Sequence, residues 1–205
     1  MQLIKPSYEI ITEVDGGMLS RIEDAGRTCY KSESKGNPSD FCEMILKRGH
    51  ESVIEHERVS VRFIIDRGVS HELVRHRLCA FSQESTRYCN YNGGVTFIIP
   101  PWCTDIEPGE YTLAHQYCKD EYVWYHAMWY AELSYLDLLE KGWTPQQARS
   151  VLPNSLKTEI VCTANLREWR HIFNLRCSPK AHPQMREVMQ PLQQDFIKLL
   201  PEIFK

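Results

Sequence analysis

The chain has no excess of positive charge. Lys and Arg total 24 against 27 Asp and Glu, a net charge of −3, which excludes a diffuse grip on nucleic acid or an anionic membrane and leaves anion binding to local clusters. Nor has it a long apolar run: no window approaches the roughly 20 apolar residues of a membrane span. The opening MQLIKPSYEII lacks a basic stretch followed by an apolar core, so a soluble, cytoplasmic protein with no membrane partner is expected. Repeats and low-complexity segments are missing too. Cysteines are present, eight of them, but no two stand at the short interval of a metal knuckle; free thiols in a reducing compartment, and no metal site, are expected. HESVIEH at 50–56 sets its histidines six apart and not four, so they would not share a helix face, which rules out the zinc-protease pattern.

What is present suffices for a core. Over 205 residues, 42% hydrophobic and 11% aromatic, the expectation is one domain spanning 1–205. An opening strand is read over Leu3–Val14, helices over Met18–Tyr30 and Ser39–Lys47, and an alternating strand over Arg58–Asp66. A helix over Gly68–Cys79 follows, then strands over Gln83–Tyr91 and Val95–Ile99 joined by the hairpin signal Asn92-Gly93-Gly94. A long, aromatic-rich helix is expected over Glu110–Lys141, ended by Gly142, with an apolar stripe of Cys118, Tyr122, Tyr125, Trp129, Leu133 and Leu136. Such a helix is covered on several faces, either within its own domain or against another subunit. Thr144-Pro145-Gln146-Gln147 signals the next helix start. A strand over Leu156–Thr163 and helices over Asn165–Arg176 and Met185–Phe204 complete the reading. Without regular βαβ alternation the fold class is α+β, with a mixed or antiparallel sheet flanked by helices.

RHRLCAFSQESTRY at 75–88 concentrates the chemistry. In a regular helix Arg75 and Arg77 would face nearly opposite directions, so either they serve two partners or the helix ends there. Strand periodicity beyond them puts Gln83, Ser85 and Arg87 on one face and Glu84, Thr86 and Tyr88 on the other; hydroxyl plus guanidinium suits a phosphate. In the helix after Asn165, Arg167, His171 and Asn174 share one stripe, while Leu166, Trp169, Phe173 and Arg176 incline to the apolar side. A guanidinium at the edge of an apolar stripe needs an anionic or carbonyl partner. Asn165 with Glu168 three residues on also fits a plain helix cap.

Arg75-His76-Arg77, seven residues, then Ser85 resembles the RHR-x7-S motif of flavin-dependent thymidylate synthases. The resemblance continues in Gly49-His50-x-Ser52-x-x-Glu55-His56, Ala148-Arg149-x-x-Leu152-Pro153, Asn165-x-Arg167 and Arg176. It implies FAD held by Ser52, Arg75, His76, Arg77, Gln83, Asn165, Arg167 and His171. It implies dUMP held by Glu72, Arg75, Gln83, Glu84, Ser85, Thr86, Arg87, Arg149 and Arg176, with Arg176 activating the uracil. His50 would lie where nicotinamide or folate approaches. NADPH and 5,10-methylenetetrahydrofolate are the implied co-substrates, a homotetramer with shared active sites the implied assembly, and no nucleic-acid partner is expected. The sequence departs from the family's usual residues at Glu72, Ala80, Ser82, Gln83, His171 and around His182. Rival readings are a related methylase acting on another pyrimidine or folate, and a module that grips nucleotide or RNA phosphates without catalysis.

Overall fold

The computed structural model describes residues 1–33, 36–112 and 119–205. It is α+β, and the chain divides into two compact units, each built from several segments. One comprises Met1–Ser7, Phe63–Arg75 and Ser82–Ile160; the other Tyr8–Arg62, His76–Phe81 and Val161–Lys205.

Strands β1 (Gln2–Ile4), β5 (Thr96–Ile98) and β6 (Gly109–Glu110) form a mixed sheet of order β5-β1-β6, parallel between β1 and β5 and antiparallel between β1 and β6. Strands β2 (Ser7–Ile10), β3 (Arg58–Asp66), β7 (Lys157–Asn165) and β4 (Ala80–Gln83) form a second sheet in the order β2-β3-β7-β4. Glu57 pairs with Leu166, Ser60 with Thr163 and Arg67 with Leu156, so partners fall along one strand as they rise along the other and β3 and β7 run antiparallel. Along β3 the side chains of Val59, Val61, Phe63 and Ile65 are buried, as the period of two demands.

In the first unit, Leu3, Val95, Phe97, Ile99, Tyr125, Met128, Tyr135 and Leu156 pack into one core. Helix α4 (Lys119–Glu140) supplies three of these and ends at Gly142, whose φ of 88° only glycine adopts without strain. Helices α3 (Arg67–Leu73) and the short α5 (Pro145–Ala148) complete this unit. In the second, helices α1 (Met18–Tyr30) and α2 (Pro38–Lys47) pack together. A Cβ on Gly26 would come within 2.6 Å of the Phe41 ring, so glycine there sets the approach. Helices α6 (Leu166–Arg176), α7 (Pro183–Leu199) and α8 (Pro201–Phe204) close around an aromatic cluster of Trp169, Phe173, Phe196 and Phe204. Pro191 sits inside α7.

Several expectations are corrected. The opening strand is broken by Pro6 into β1 and β2, which join different sheets. The helix expected to Cys79 stops at Leu73, so Arg75 and Arg77 leave helical geometry altogether. No hairpin joins 83–91 to 95–99: β4 ends at Gln83, and β5 pairs with β1 instead. Glu110 lies in β6, not in a helix, and the expected helix start and Cys118 fall partly outside the described residues. The inward stripe of α4 is Glu121, Tyr125, Met128, Glu132 and Tyr135, while Tyr122 and Leu133 are exposed. Two carboxylates on that stripe hid it from a hydrophobicity pattern; they accept from the backbone N–H groups of Asp105 and Val95. Among the described residues no helix is long and apolar enough to cross a membrane.

Candidate active site

In the second unit, β7 runs directly into α6. Asn165 is the N-cap, its Oδ1 accepting from Glu168 N at 2.8 Å, as such a residue at a strand-to-helix junction should. Leu166, Trp169, Ile172 and Phe173 face inward, and Trp169 Nε1 donates to Val59 O at 2.9 Å, tying α6 to β3. The opposite face carries Arg167, His171 and Asn174, which line an open cavity of about 770 Å³ together with Leu78, Glu51 and Glu55. The stripe expected from i, i+4, i+7 spacing is therefore a cavity wall.

Glu51 and Glu55 belong to a 3-10 segment, Glu51–His56, packed against α6. Arg167 Nη1 meets Glu55 Oε1 at 2.5 Å, and Arg170 Nη2 meets Glu51 Oε1 at 3.4 Å. Ser52 is exposed on this segment, and His50 precedes it beside Gly49, whose φ is +73°. Arg170 Nη1 is buried and has no hydrogen-bond acceptor among the described residues. The spare Arg170 donor, the Arg167 guanidinium, the amides of Asn165 and Asn174 and the 77% exposed Leu78 side chain fit a large ligand with an anionic portion and a flat, acceptor-rich ring such as a flavin dinucleotide.

His76 stands apart from its neighbours Arg75 and Arg77: they are exposed, it is buried. Its Nε2 accepts from Arg176 Nε at 2.9 Å, and its Nδ1 lies 3.4 Å from Glu168 Oε1. Burial, reinforced by the positive Arg176 and by His171, lowers its pKa to about 4, so it is neutral at pH 7. Burial raises the Glu168 carboxyl above its ordinary value. One atom each of His76, Glu168 and His171 lie within 4.8 Å of one another, a spacing that suits a cation. The donor chemistry opposes one. A bond from Arg176 to Nε2 requires the imidazole proton on Nδ1, the nitrogen facing Glu168, which then has no lone pair to give.

The first unit holds the second group. Arg67 begins α3, its backbone N–H donating to Asn154 O and Leu156 O and its Nη1 to Thr158 Oγ1 at 3.0 Å and Glu84 O at 3.1 Å. Gln83 Nε2 donates to Ser70 Oγ and Thr158 Oγ1. Glu84 is engaged on every side: Tyr91 Oη donates to it at 2.7 Å, Lys157 Nζ at 2.9 Å and Glu159 N at 3.1 Å. Burial pushes its carboxyl up, but these bonds outweigh that and hold it below its ordinary value.

The strand expected through Tyr91 becomes a turn after Glu84. Tyr88 N and Cys89 N both donate to Ser85 O, and Arg87 N donates to Ser85 Oγ. A serine hydroxyl that satisfies a local N–H competes with the ladder, so Ser85 and Arg87 meet through a turn and not along a strand face. Arg149 Nη1 donates to Thr86 Oγ1 at 3.1 Å, and Arg87 Nε to Gln146 Oε1 at 2.9 Å. Arg67, His71, Thr86, Gln146, Arg149 and Ser150 line a cavity of about 460 Å³, whose cations and hydroxyls make an anion cradle. Of the residues expected to hold the nucleotide, only Thr86 and Arg149 line it; Ser85 and Arg87 lie on the adjoining turn, and Glu72, half-buried on α3, does not line it.

Sequence reasoning missed Glu51, Arg170 and Glu168 in one group and Arg67, His71, Gln146 and Ser150 in the other. Arg67 had a signal, as a cation placed directly after an apolar strand. Glu168 had only the signal of its place in the cap, which the structure bears out through its backbone N–H and which says nothing of its side chain.

The family model described as thymidylate synthase complementing protein, Thy1, matches residues 11–202. The chain belongs to this family. It is 34% identical over 214 residues to the flavin-dependent thymidylate synthase of Mycobacterium sp. (strain JLS), covering 98% of this chain and 84% of that protein. The Mycobacterium avium (strain 104) protein of the same name is 33% identical over 212 residues, with the same coverage. Among solved structures, the UMP/dUMP methylase PolB from Streptomyces cacaoi bound with 5-Br UMP superimposes with a TM-score of 0.79 at 21% identity, over 100% of this chain and 94% of that one.

Proposed function

We propose that this chain is a flavin-dependent thymidylate synthase: it methylates dUMP to dTMP, with 5,10-methylenetetrahydrofolate as carbon donor and NADPH as reductant through FAD. The family match across residues 11–202 carries this reading, and the same span supports treating 1–205 as one catalytic domain. A thymine methyl is a methylene carbon plus a hydride; FAD, when bound, accepts hydride from NADPH and delivers it. Ser52, Arg75, His76, Arg77, Gln83, Asn165, Arg167 and His171 are assigned to that cofactor, and Arg170 joins them through its spare buried donor. His50 is assigned to the approaching nicotinamide or folate.

The anion cradle takes the dUMP phosphate. Thr86 and Arg149, which line the cradle, are assigned to that phosphate, Ser85 and Arg87 on the adjoining turn are assigned to it by the resemblance, and Gln83 and Glu84 hold the turn in place. Glu72 and Arg75 are assigned to the nucleotide by the resemblance. Arg176 opposes negative charge as it develops along the N3–C4–O4 or O2 edge of the uracil when the ring is attacked, stabilisation given by fixed N–H donors. None of this needs a cysteine nucleophile. A homotetramer is supported by the exposed apolar side chains of α4, among them Tyr122, Val123, Tyr130 and Leu133. A net charge of −3 supports the absence of a nucleic-acid partner.

The test is dTMP formation by purified protein with FAD, NADPH and methylenetetrahydrofolate, run in parallel on dUMP and UMP, in wild type and Arg176→Lys. An ammonium cannot reproduce two parallel guanidinium bonds, so turnover should fall roughly 10²–10³-fold while NADPH still reduces the bound flavin. Nucleotide binding without flavin or turnover would instead mark a phosphate-gripping module, and preference for UMP a related methylase.

A further inference from the structure

We propose that Glu168, acting through His76, is a positioning residue for Arg176: a buried carboxylate orients an imidazole, which in turn fixes the plane of the guanidinium. The inference rests on the reading that Arg176 serves the uracil. Arg176 Nε donates to His76 Nε2 at 2.9 Å, and a guanidinium has only donors. That bond therefore forms only with the His76 proton on Nδ1. Nδ1 faces Glu168 Oε1 at 3.4 Å, a separation too long for a short hydrogen bond but close enough for the carboxylate to favour an N–H there over a lone pair. Glu168 itself is fixed at the first turn of α6, its backbone N–H held by Asn165, and Arg176 ends the same helix. One end of α6 thus sets the orientation of a side chain at the other. His171 is the third group against His76, at a ring-centroid distance of 5.8 Å.

An arginine needs no such apparatus to carry charge. It needs it to hold its plane, and a misaligned donor loses its advantage in the transition state before it loses ground-state binding. Glu168→Gln keeps size and an acceptor oxygen but replaces the carboxylate with a group that can donate to Nδ1 and so favours the other tautomer.

The measurements are saturated dTMP turnover, dUMP affinity, flavin reduction by NADPH, and the imidazole ¹⁵N spectrum of His76. Expected in Glu168→Gln is a fall in turnover of roughly tenfold or more, the scale of losing an orienting partner behind a functional group, with dUMP affinity within about twofold and flavin reduction by NADPH falling less than turnover. Residual turnover of the Glu168→Gln/Arg176→Lys double variant should be no lower than that of Arg176→Lys alone, because both changes disable one device. The wild-type spectrum should show His76 protonated on Nδ1. Wild-type turnover in Glu168→Gln, additive losses in the double variant, or a wild-type His76 protonated on Nε2 each overturns the proposal. If Glu168→Gln loses its fold, the wild-type tautomer still decides. Should Arg176→Lys make dTMP at the wild-type rate, the uracil assignment has failed; should Arg176→Lys be inactive while Glu168→Gln is not, only the positioning role has.

Discussion

Replacing Glu84 tests the link between the fold and the anion cradle. Its carboxylate accepts from Lys157, Tyr91 and the backbone of Glu159, and the Glu84 and Lys157 side chains are only 15% and 24% exposed. Glu84→Ala would leave an ammonium and a phenol hydroxyl largely shielded from water with no carboxylate to meet. Breaking a fully buried pair costs about 3–5 kcal/mol, and charge-assisted bonds are worth about 1.5–3 kcal/mol each; partial exposure of Lys157 puts the expected loss near 3 kcal/mol. For a chain of this size that lowers Tm by about 6–12 °C. Glu84→Gln, which keeps one acceptor, should lose about half as much.

Acid supplies an internal control. Because the folded carboxyl is held below its ordinary value, its contribution is present above the unfolded pKa and disappears as pH falls through the folded one. The gap between wild type and Glu84→Gln, measured by urea unfolding, should therefore narrow on acidification. A neutral-pH loss below about 1 kcal/mol in Glu84→Ala, or a gap to Glu84→Gln that does not respond to acid, would refute the reasoning.

Two further outcomes are expected. Arg87→Ala should raise the dUMP concentration needed for half-maximal turnover by far more than it slows flavin reduction by NADPH, since a phosphate is present in ground and transition states alike; steady-state and half-reaction kinetics on one preparation check this. Asn165→Ala removes the cap on Glu168 N and should cost about 1 kcal/mol of stability, read as a shift in the urea midpoint at unchanged slope.

Helices and strands whose burial follows their period were legible from the sequence. The bounds of α1 and β3 are those expected, and Asn165 caps α6 as its position implied. Two of the misreadings share a cause, which is a polar side chain satisfied by backbone. Glu121 and Glu132 masked the inward stripe of α4, and Ser85 turned an alternating segment away from the sheet. Pairing of β5 with β1 was out of reach for local patterns because its partner lies more than ninety residues earlier. At the site, residues on regular elements were placed correctly as a stripe, Arg167, His171 and Asn174. The cradle was only half visible, because Arg67, Gln146 and Ser150 reach it from segments distant in sequence.

The two carboxylates beneath α4 also decide what that helix can do as a moving part. Glu121 and Glu132 grip backbone N–H groups at points about 16 Å apart along the axis, and an axial slip of one turn, about 5.4 Å, would pull both from their donors at once. Hydrophobic contact alone tolerates sliding, since one leucine substitutes for another; a carboxylate seated on a particular amide does not. The helix is keyed like a bolt with two pins. It can tilt or travel with the loops that hold Asp105 and Val95, but it cannot ratchet past them, so any partner docking on its exposed side meets Tyr122, Tyr130 and Leu133 in a single fixed register.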